Sequence, residues 1–478
     1  MPHSSSPPPK QNPPSITPAH ETSPLISAHH HPHDPTPPPT SPFLQTLILY
    51  FMTLHFLIAF CEMVLVAPLI SLFESSLCHS YYNFPEPNFS LENRDLISEM
   101  CKIPEIQGPL ATIRGWKSLG DTVPVLLVAI PIGNLGDRYG RRKIMALSLI
   151  GVGLSLVEIF VVCAYPKIFD LRWVWLSSLF LLCGGGLYSS AAFMWAMASS
   201  LIPEDRRSYA FYYIFSAFYI AELIGSYVAS ITIDISPWIA CSLAMGSVIL
   251  GLLLLWLVPF TQSSPRPEPS PPSTSSTQLQ SRHLTIIPKT TILATIRHAL
   301  MQPNVLLCVP VFLVGTLRYT TLNILIQYSS VRFGTKISKG AMFYTETAII
   351  NIVLFLFLIP RIKLMRVSVC FLLVGSLAIG LAPTSGWIPI GVSIFTIGFG
   401  SRVSTLSLIS HFIPPSSLAT LYASIAVLEN LGHAINDPSM QHIFAATLRL
   451  PSFWHALPFF VAAVGTLLLL TFANKNKM

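Results

Sequence analysis

Gly133-Asn134-Leu135-Gly136-Asp137-Arg138-Tyr139-Gly140-Arg141-Arg142-Lys143 is a short polar interruption between two apolar runs, 119–136 and 143–164. Glycines at 133 and 136 let the end of a helix come close to a neighbour. Gly140 allows the sharp turn that a six-residue connection, 137–142, requires. Asp137 and Arg141 are spaced to pair across one helical turn. Arg138, Arg142 and Lys143 are placed to meet anionic lipid headgroups. Apolar run, charged turn, apolar run is the pattern of two membrane-spanning helices joined by a tight loop.

The rest of the chain repeats that alternation. Of 478 residues, 52% are hydrophobic and 10% charged, against roughly 25% charged in soluble domains, so a water-facing surface cannot be built from it. Crossing a hydrocarbon core takes roughly 20 apolar residues. Runs of that kind are expected at 44–66, 119–136, 143–164, 172–198, 208–230 and 238–260, then at 303–325, 340–360, 366–383, 387–410, 417–440 and 453–473. The expected fold is therefore an all-α membrane protein of twelve transmembrane helices in two six-helix bundles, 43–260 and 301–474. Residues 1–42, with fourteen prolines and six histidines, have almost nothing to bury and read as a disordered cytoplasmic tail. Residues 261–300, rich in Pro, Ser and Thr, read as a cytoplasmic linker between the halves.

With both termini cytoplasmic, sixteen of the twenty-eight Lys and Arg fall inside, ten outside and two, Arg318 and Arg402, within helices, in line with retention of positive charge on the cytoplasmic side. The first loop then faces outward. It carries the glycosylation sequon at Asn88 and two cysteines, Cys78 and Cys101, placed to oxidise there. The other cysteines fall mostly in apolar runs and read as small hydrophobes. The net charge of +7 is dispersed in short clusters between spans, which argues against nucleic acid. In the tail, Glu21-Thr-Ser-Pro-Leu25-Ile26 has the form of an acidic dileucine sorting signal, so the expected location is the plasma membrane or the vacuolar membrane.

The 133–143 segment resembles the signature between helices two and three of the major facilitator superfamily. The resemblance implies a gate in which Gly133, Asp137, Arg138, Gly140, Arg141 and Arg142 hold the two halves together on the cytoplasmic side. There Asp137 would meet the start of helix eleven at Pro414-Pro415-Ser416-Ser417. More narrowly, the chain looks like the fungal branch related to proton-coupled folate transporters, through Gly115-Trp116, Asp121 to Pro131, Gln327-Tyr328 to Phe333-Gly334, Gly398 to Ser407 and Leu421-Tyr422 to Glu429-Asn430. Helix five has Glu222, Gly225 and Ser226 but lacks the repeated glycine and Gly-Pro pattern of drug/proton antiporters, so the motif does not support an export direction and proton symport is the expectation. The resemblance places helices one, five, seven, eight, ten and eleven around a central cavity.

An ionisable side chain inside a span costs about 2.5–3.5 kcal/mol and marks function by default. His55 and Glu62 share one face of helix one. Glu222, Arg318, Glu346, Arg402 and Glu429 sit in helices five, seven, eight, ten and eleven. A carboxylate shut away from water favours its protonated form, which suits proton coupling, and Glu62, Glu222 and Glu429 are the strongest choices. Arg318 and Arg402 suit an anionic solute or an ion pair with those acids. His433 and Asp437 read as an isolated pair near a helix end.

The expected function is secondary active transport of a small organic solute by alternating access, coupled to protons, by a monomer that needs no cofactor or metal. Facilitated transport or efflux of a toxic or secondary metabolite is the alternative. A membrane-embedded enzyme is the third class, and no HExxH, G-x-S-x-G or Cys/His metal spacing supports it.

Overall fold

The computed structural model describes residues 42–82, 99–257, 309–357, 365–400 and 418–475. Twelve helical segments follow one another among them. They are α1 Pro42–Tyr82, α2 Pro104–Tyr139, α3 Arg141–Ala164, α4 Leu171–Leu201, α5 Glu204–Ile235 and α6 Pro237–Leu257, then α7 in two pieces, Val309–Gly315 and Leu317–Phe333, α8 Ile337–Phe357, α9 Met365–Gly380, α10 Ser385–Ile397, α11 Leu418–Thr447 and α12 Leu457–Lys475. Six helices among the described residues are long and apolar enough to cross a membrane, including α1, α3 and α4.

The first two helices are much longer than their apolar runs suggest. α1 continues to Tyr82 through Pro68, and α2 begins at Pro104, so the long first loop expected from 67 to 118 is mostly helix. At 1.5 Å per residue, 41 residues reach about 60 Å, twice the hydrocarbon thickness. α1 is therefore longer than the bilayer core it crosses. Its C-terminal end is tied to the segment before α2 by the Cys78–Cys101 disulfide, which packs on Ile106. Lys102 pairs with Glu74 of α1 at 2.7 Å. Polar residues that look like loop in one dimension have buried partners in three.

The turn between α2 and α3 is also tighter than expected. α2 ends at Tyr139 and α3 starts at Arg141, leaving Gly140 alone at φ 97°, where a side chain would be strained. α4 is not one continuous helix: short 3₁₀ turns lead to a break at Gly185, φ 80°. α11 runs on to Thr447, so Asp437 stands well inside it rather than near its end.

α2 packs along α11, and α5 along α8; these pairs join the first six helices to the last six. The crossing of α2 and α11 is close. A Cβ at Gly115 would lie 3.0 Å from Cβ of Gln441 and 3.1 Å from Cα of Pro438. At the other end of α2 the close approach is at Gly136, where a Cβ would meet Cε1 of Phe193 at 2.7 Å. Gly133, expected to share that role, faces open space.

Candidate functional site

The site begins where α1 meets α4 and α5. His55 is 5% exposed; its Nδ1 lies 2.8 Å from the Ile214 carbonyl oxygen, and its ring meets Trp195 edge-on. Two turns on, Glu62 accepts a long hydrogen bond from Tyr188 Oη at 3.5 Å. The seven-residue spacing of His55 and Glu62 on α1 is thus matched by Trp195 and Tyr188, seven apart on the antiparallel α4. His55 is enclosed by protein, and Glu62 lies within electrostatic reach of His433 on α11.

Glu222 of α5 is 5% exposed, and its Oε2 has no hydrogen-bond partner. Asn351 of α8 and Glu62 of α1 both lie within electrostatic reach of the carboxylate. One turn on, Ser226 and Thr345 of α8 share a hydrogen bond of 2.9 Å. Gly225 admits α1 here: a Cβ would stand 3.1 Å from Met63 Cβ. Tyr344, the residue before Thr345, lies within reach of Glu62, Glu222, Asp437 and Arg114 together. Acids from α1, α5 and α11 therefore converge around one phenol of α8.

Asp437 is the acid that sequence reasoning missed. Its carboxylate accepts hydrogen bonds from Ser118 of α2 at 2.6 Å and from Thr320 of α7, and His433 stands 3.6 Å away. Beside it, Arg114 of α2 donates to Gln327 Oε1 and to the Asn323 carbonyl of α7, both at 2.9 Å. Gln327 in turn donates to the Gln107 side chain at 2.9 Å, and Gln107 donates to the Cys101 carbonyl at 3.0 Å. A continuous chain of hydrogen bonds thus runs from the disulfide across the seam into α7. All of these residues lie in the half of the bundle nearer the disulfide. The only signal in the sequence was the polarity of 107–118, which reads equally well as loop.

The remaining expected residues divide. Glu346 is turned toward α10, accepting from Ser393 Oγ at 2.5 Å, and so ties α8 to α10 rather than facing the acids. Arg318 of α7 is 6% exposed and lies over the rings of Tyr319 and Phe399, 4.7 and 5.5 Å from their centroids. Glu429 is half-buried in α11. In the signature, Arg141 does not continue the helix that carries Asp137, because Gly140 breaks it; its Nη1 donates instead to the Ala196 carbonyl of α4 at 2.8 Å. Arg138 is exposed and Arg142 half-buried, within electrostatic reach of Tyr50. Arg402, Asn88, Pro414–Ser417, the tail and the linker lie outside the described residues. An apolar crevice of about 580 Å³ between α3 and α6 lies apart from the acid cluster.

Residues 108–436 match the model of the Major Facilitator Superfamily. The chain belongs to that superfamily. It is an integral, multi-pass membrane protein of a transporter family. Among its relatives, "MFS efflux pump atnC" of Emericella nidulans is 28% identical over 420 residues, covering 84% of this chain and 81% of the relative. "Efflux pump ustT" of Aspergillus flavus is 26% identical over 411 residues, covering 79% and 78%. Among solved structures, a D-xylose-proton symporter superposes with a TM-score of 0.61 at 12% identity, covering 90% of this chain and 97% of that one. A POT family transporter also reaches 0.61, at 15% identity, covering 90% and 96%. These likenesses establish the facilitator fold. The named relatives are efflux pumps, not folate carriers, so the narrower kinship to the folate branch is not what these comparisons show.

Proposed function

We propose that this facilitator exports a small organic solute by alternating access, with protons moving the opposite way through Glu222 and Glu62. Glu222 is the observation that carries the reading. It is buried on the α5–α8 seam with one carboxylate oxygen unpartnered and a second carboxylate nearby. A buried charge is costly unless paired, and a proton on that oxygen removes the cost. When the seam parts, water reaches the carboxylate and the proton can leave. Loading and release of the proton are thereby tied to the motion that exposes the site.

The seam itself supplies the gate. At the disulfide end it is shut by Arg114, Gln327, Ser118 and Asp437. With both termini cytoplasmic, this is the external or lumenal end. At the other end the 133–143 signature forms the cytoplasmic gate, with Asp137 as its acid, a residue whose side chain lies outside those described. The carrier works as a monomer in the plasma membrane or the vacuolar membrane.

Export is favoured over proton-driven uptake by the efflux-pump names of the relatives. The two directions differ in sign and can be separated. In inside-out vesicles with an acidic lumen, exchange drives solute into the vesicle, whereas symport drives it out. Accumulation that collapses with the pH gradient is the expected result; solute leaving would establish uptake, and no response to the gradient would overturn proton coupling.

A further inference from the structure

Three buried or half-buried guanidiniums stand on or beside α7, and two of them are fully engaged. Arg114 donates to Gln327 and to the Asn323 carbonyl. Arg332 donates to Tyr328 and to the Gly380 carbonyl at 3.0 Å. Arg318 is different. At 6% exposure its Nε–H has no hydrogen-bond partner, and among the described residues no carboxylate forms an ion pair with it. Among the described residues it meets the rings of Tyr319 and Phe399, which steady the cation but leave its in-plane N–H donors free.

A guanidinium resting against two neighbouring rings with its donors unspent is the arrangement that receives a planar anion, because the fork matches the oxygens of a carboxylate or sulfonate. Removing such a cation from water without an anion is costly, so an anion that arrives late recovers what the fold left unmade. The surroundings suit a solute with an aromatic body. Tyr319 and Phe399 are half-buried, and Tyr319 also meets the His433 ring at 5.9 Å. Tyr319 lies within electrostatic reach of Tyr188 on α4, the tyrosine that bonds Glu62. Neither Asp437 nor Glu62 neutralises Arg318. Asp437 is occupied by Ser118, Thr320 and His433, and Glu62 by Tyr188.

We infer that Arg318 is the recognition point for an organic anion, a carboxylate or sulfonate on an aromatic or otherwise flat body. The assignment rests on the transport reading above and adds to it the chemical class of the cargo.

The test uses purified full-length protein and permanently charged probes. Benzene-, naphthalene- and anthracenesulfonate form one series, the matching aryl trimethylammonium ions a second, and sodium sulfate and sodium chloride a third. Sulfonate-dependent rise of the thermal unfolding midpoint, absent for the ammonium series and for the inorganic salts, is expected. Arg318→Gln should abolish it. Arg318→Lys, which keeps the charge and loses the fork, should need about tenfold more sulfonate for the same rise. Equal response of Arg318→Gln, preference for the ammonium ions, or stabilisation by inorganic sulfate alone would each overturn the assignment, as would no response to any probe. If Arg318→Gln is not monodisperse, the comparison of Arg318→Lys with wild type decides. Glu222→Gln keeps the sulfonate response whatever its effect on coupling, so a failed export reading and a failed anion site give different patterns.

Discussion

Ser118 of α2 donates a 2.6 Å hydrogen bond to Asp437 of α11, joining the first six helices to the last six at a point where Thr320 of α7 also donates. A carrier that alternates must break this bond each cycle, since α2 and α11 cannot part while Asp437 holds both. Ser118→Ala and Asp437→Asn should therefore be non-additive. In a double-mutant cycle on thermal unfolding, about 0.5–3 kcal/mol of coupling is expected for residues in contact. A coupling near zero would remove Asp437 from the gate.

Gly115 sets how closely the same two helices cross. Gly115→Leu drives a side chain into Pro438 and Gln441, and overpacking of this kind costs about 1–3 kcal/mol. The strain falls on the shut end, so a cysteine at Ser118 should react faster with a water-soluble maleimide in the Gly115→Leu background. Gly246→Leu, on α6, where a Cβ meets open space, is the matched control and should leave both readouts unchanged.

Glu222→Gln keeps the volume and removes the titrating proton. Solute exchange down its own gradient should persist, while accumulation driven by an imposed pH gradient disappears. The sign follows from the charge. Gln mimics the neutral, protonated carboxylate at every pH, so the variant should behave above neutrality as the wild type does in acid. Unchanged gradient-driven accumulation would exclude Glu222 as the coupling group.

In the signature, Asp137→Asn and Arg141→Ala should slow transport while leaving membrane insertion intact. Gly140→Ala should do more, because φ 97° costs a side chain roughly 1–2 kcal/mol at the only residue between α2 and α3. Surface abundance and flux, measured together, separate the two effects. Wild-type flux in the Asp137 and Arg141 variants would refute the gate.

Reduction should unlock the disulfide end. The Cys78–Cys101 bridge closes a loop of 23 residues in sequence, and bridges of that span stabilise by about 3 kcal/mol. Cys78→Ser/Cys101→Ser should lower the thermal midpoint in proportion. Because Gln107 bonds to the Cys101 carbonyl and onward to Gln327, it should also raise maleimide access at residue 118. A lower midpoint without greater access would leave the bridge structural only.

Much of the site escaped sequence reading for one reason. Polarity along a chain looks the same whether water or a partner helix satisfies it. Residues 104–118 have Gln107, Arg114 and Lys117, and their apparent loop character disappears once Gln327, Asn323 and Asp121 are seen as their partners. Asp437 was passed over because its helix seemed to end soon after it. Glu346 shows the converse: its intramembrane position was legible, but only packing turned it toward Ser393 and away from the other acids.

Sequence alone determined that lipid is the solvent, that the chain crosses it repeatedly, and that a glycine-broken charged turn joins α2 to α3. Hydrophobic run length and charge scarcity are properties of the chain itself, and no partner can reverse them. Tertiary structure decided, among the described residues, which buried ions are spent and which are not: Arg114 and Asp437 satisfied across the seam, Glu222 and Arg318 each left with an unpartnered polar atom. That division depends on what stands opposite each group from a distant helix, and no local spacing encodes it.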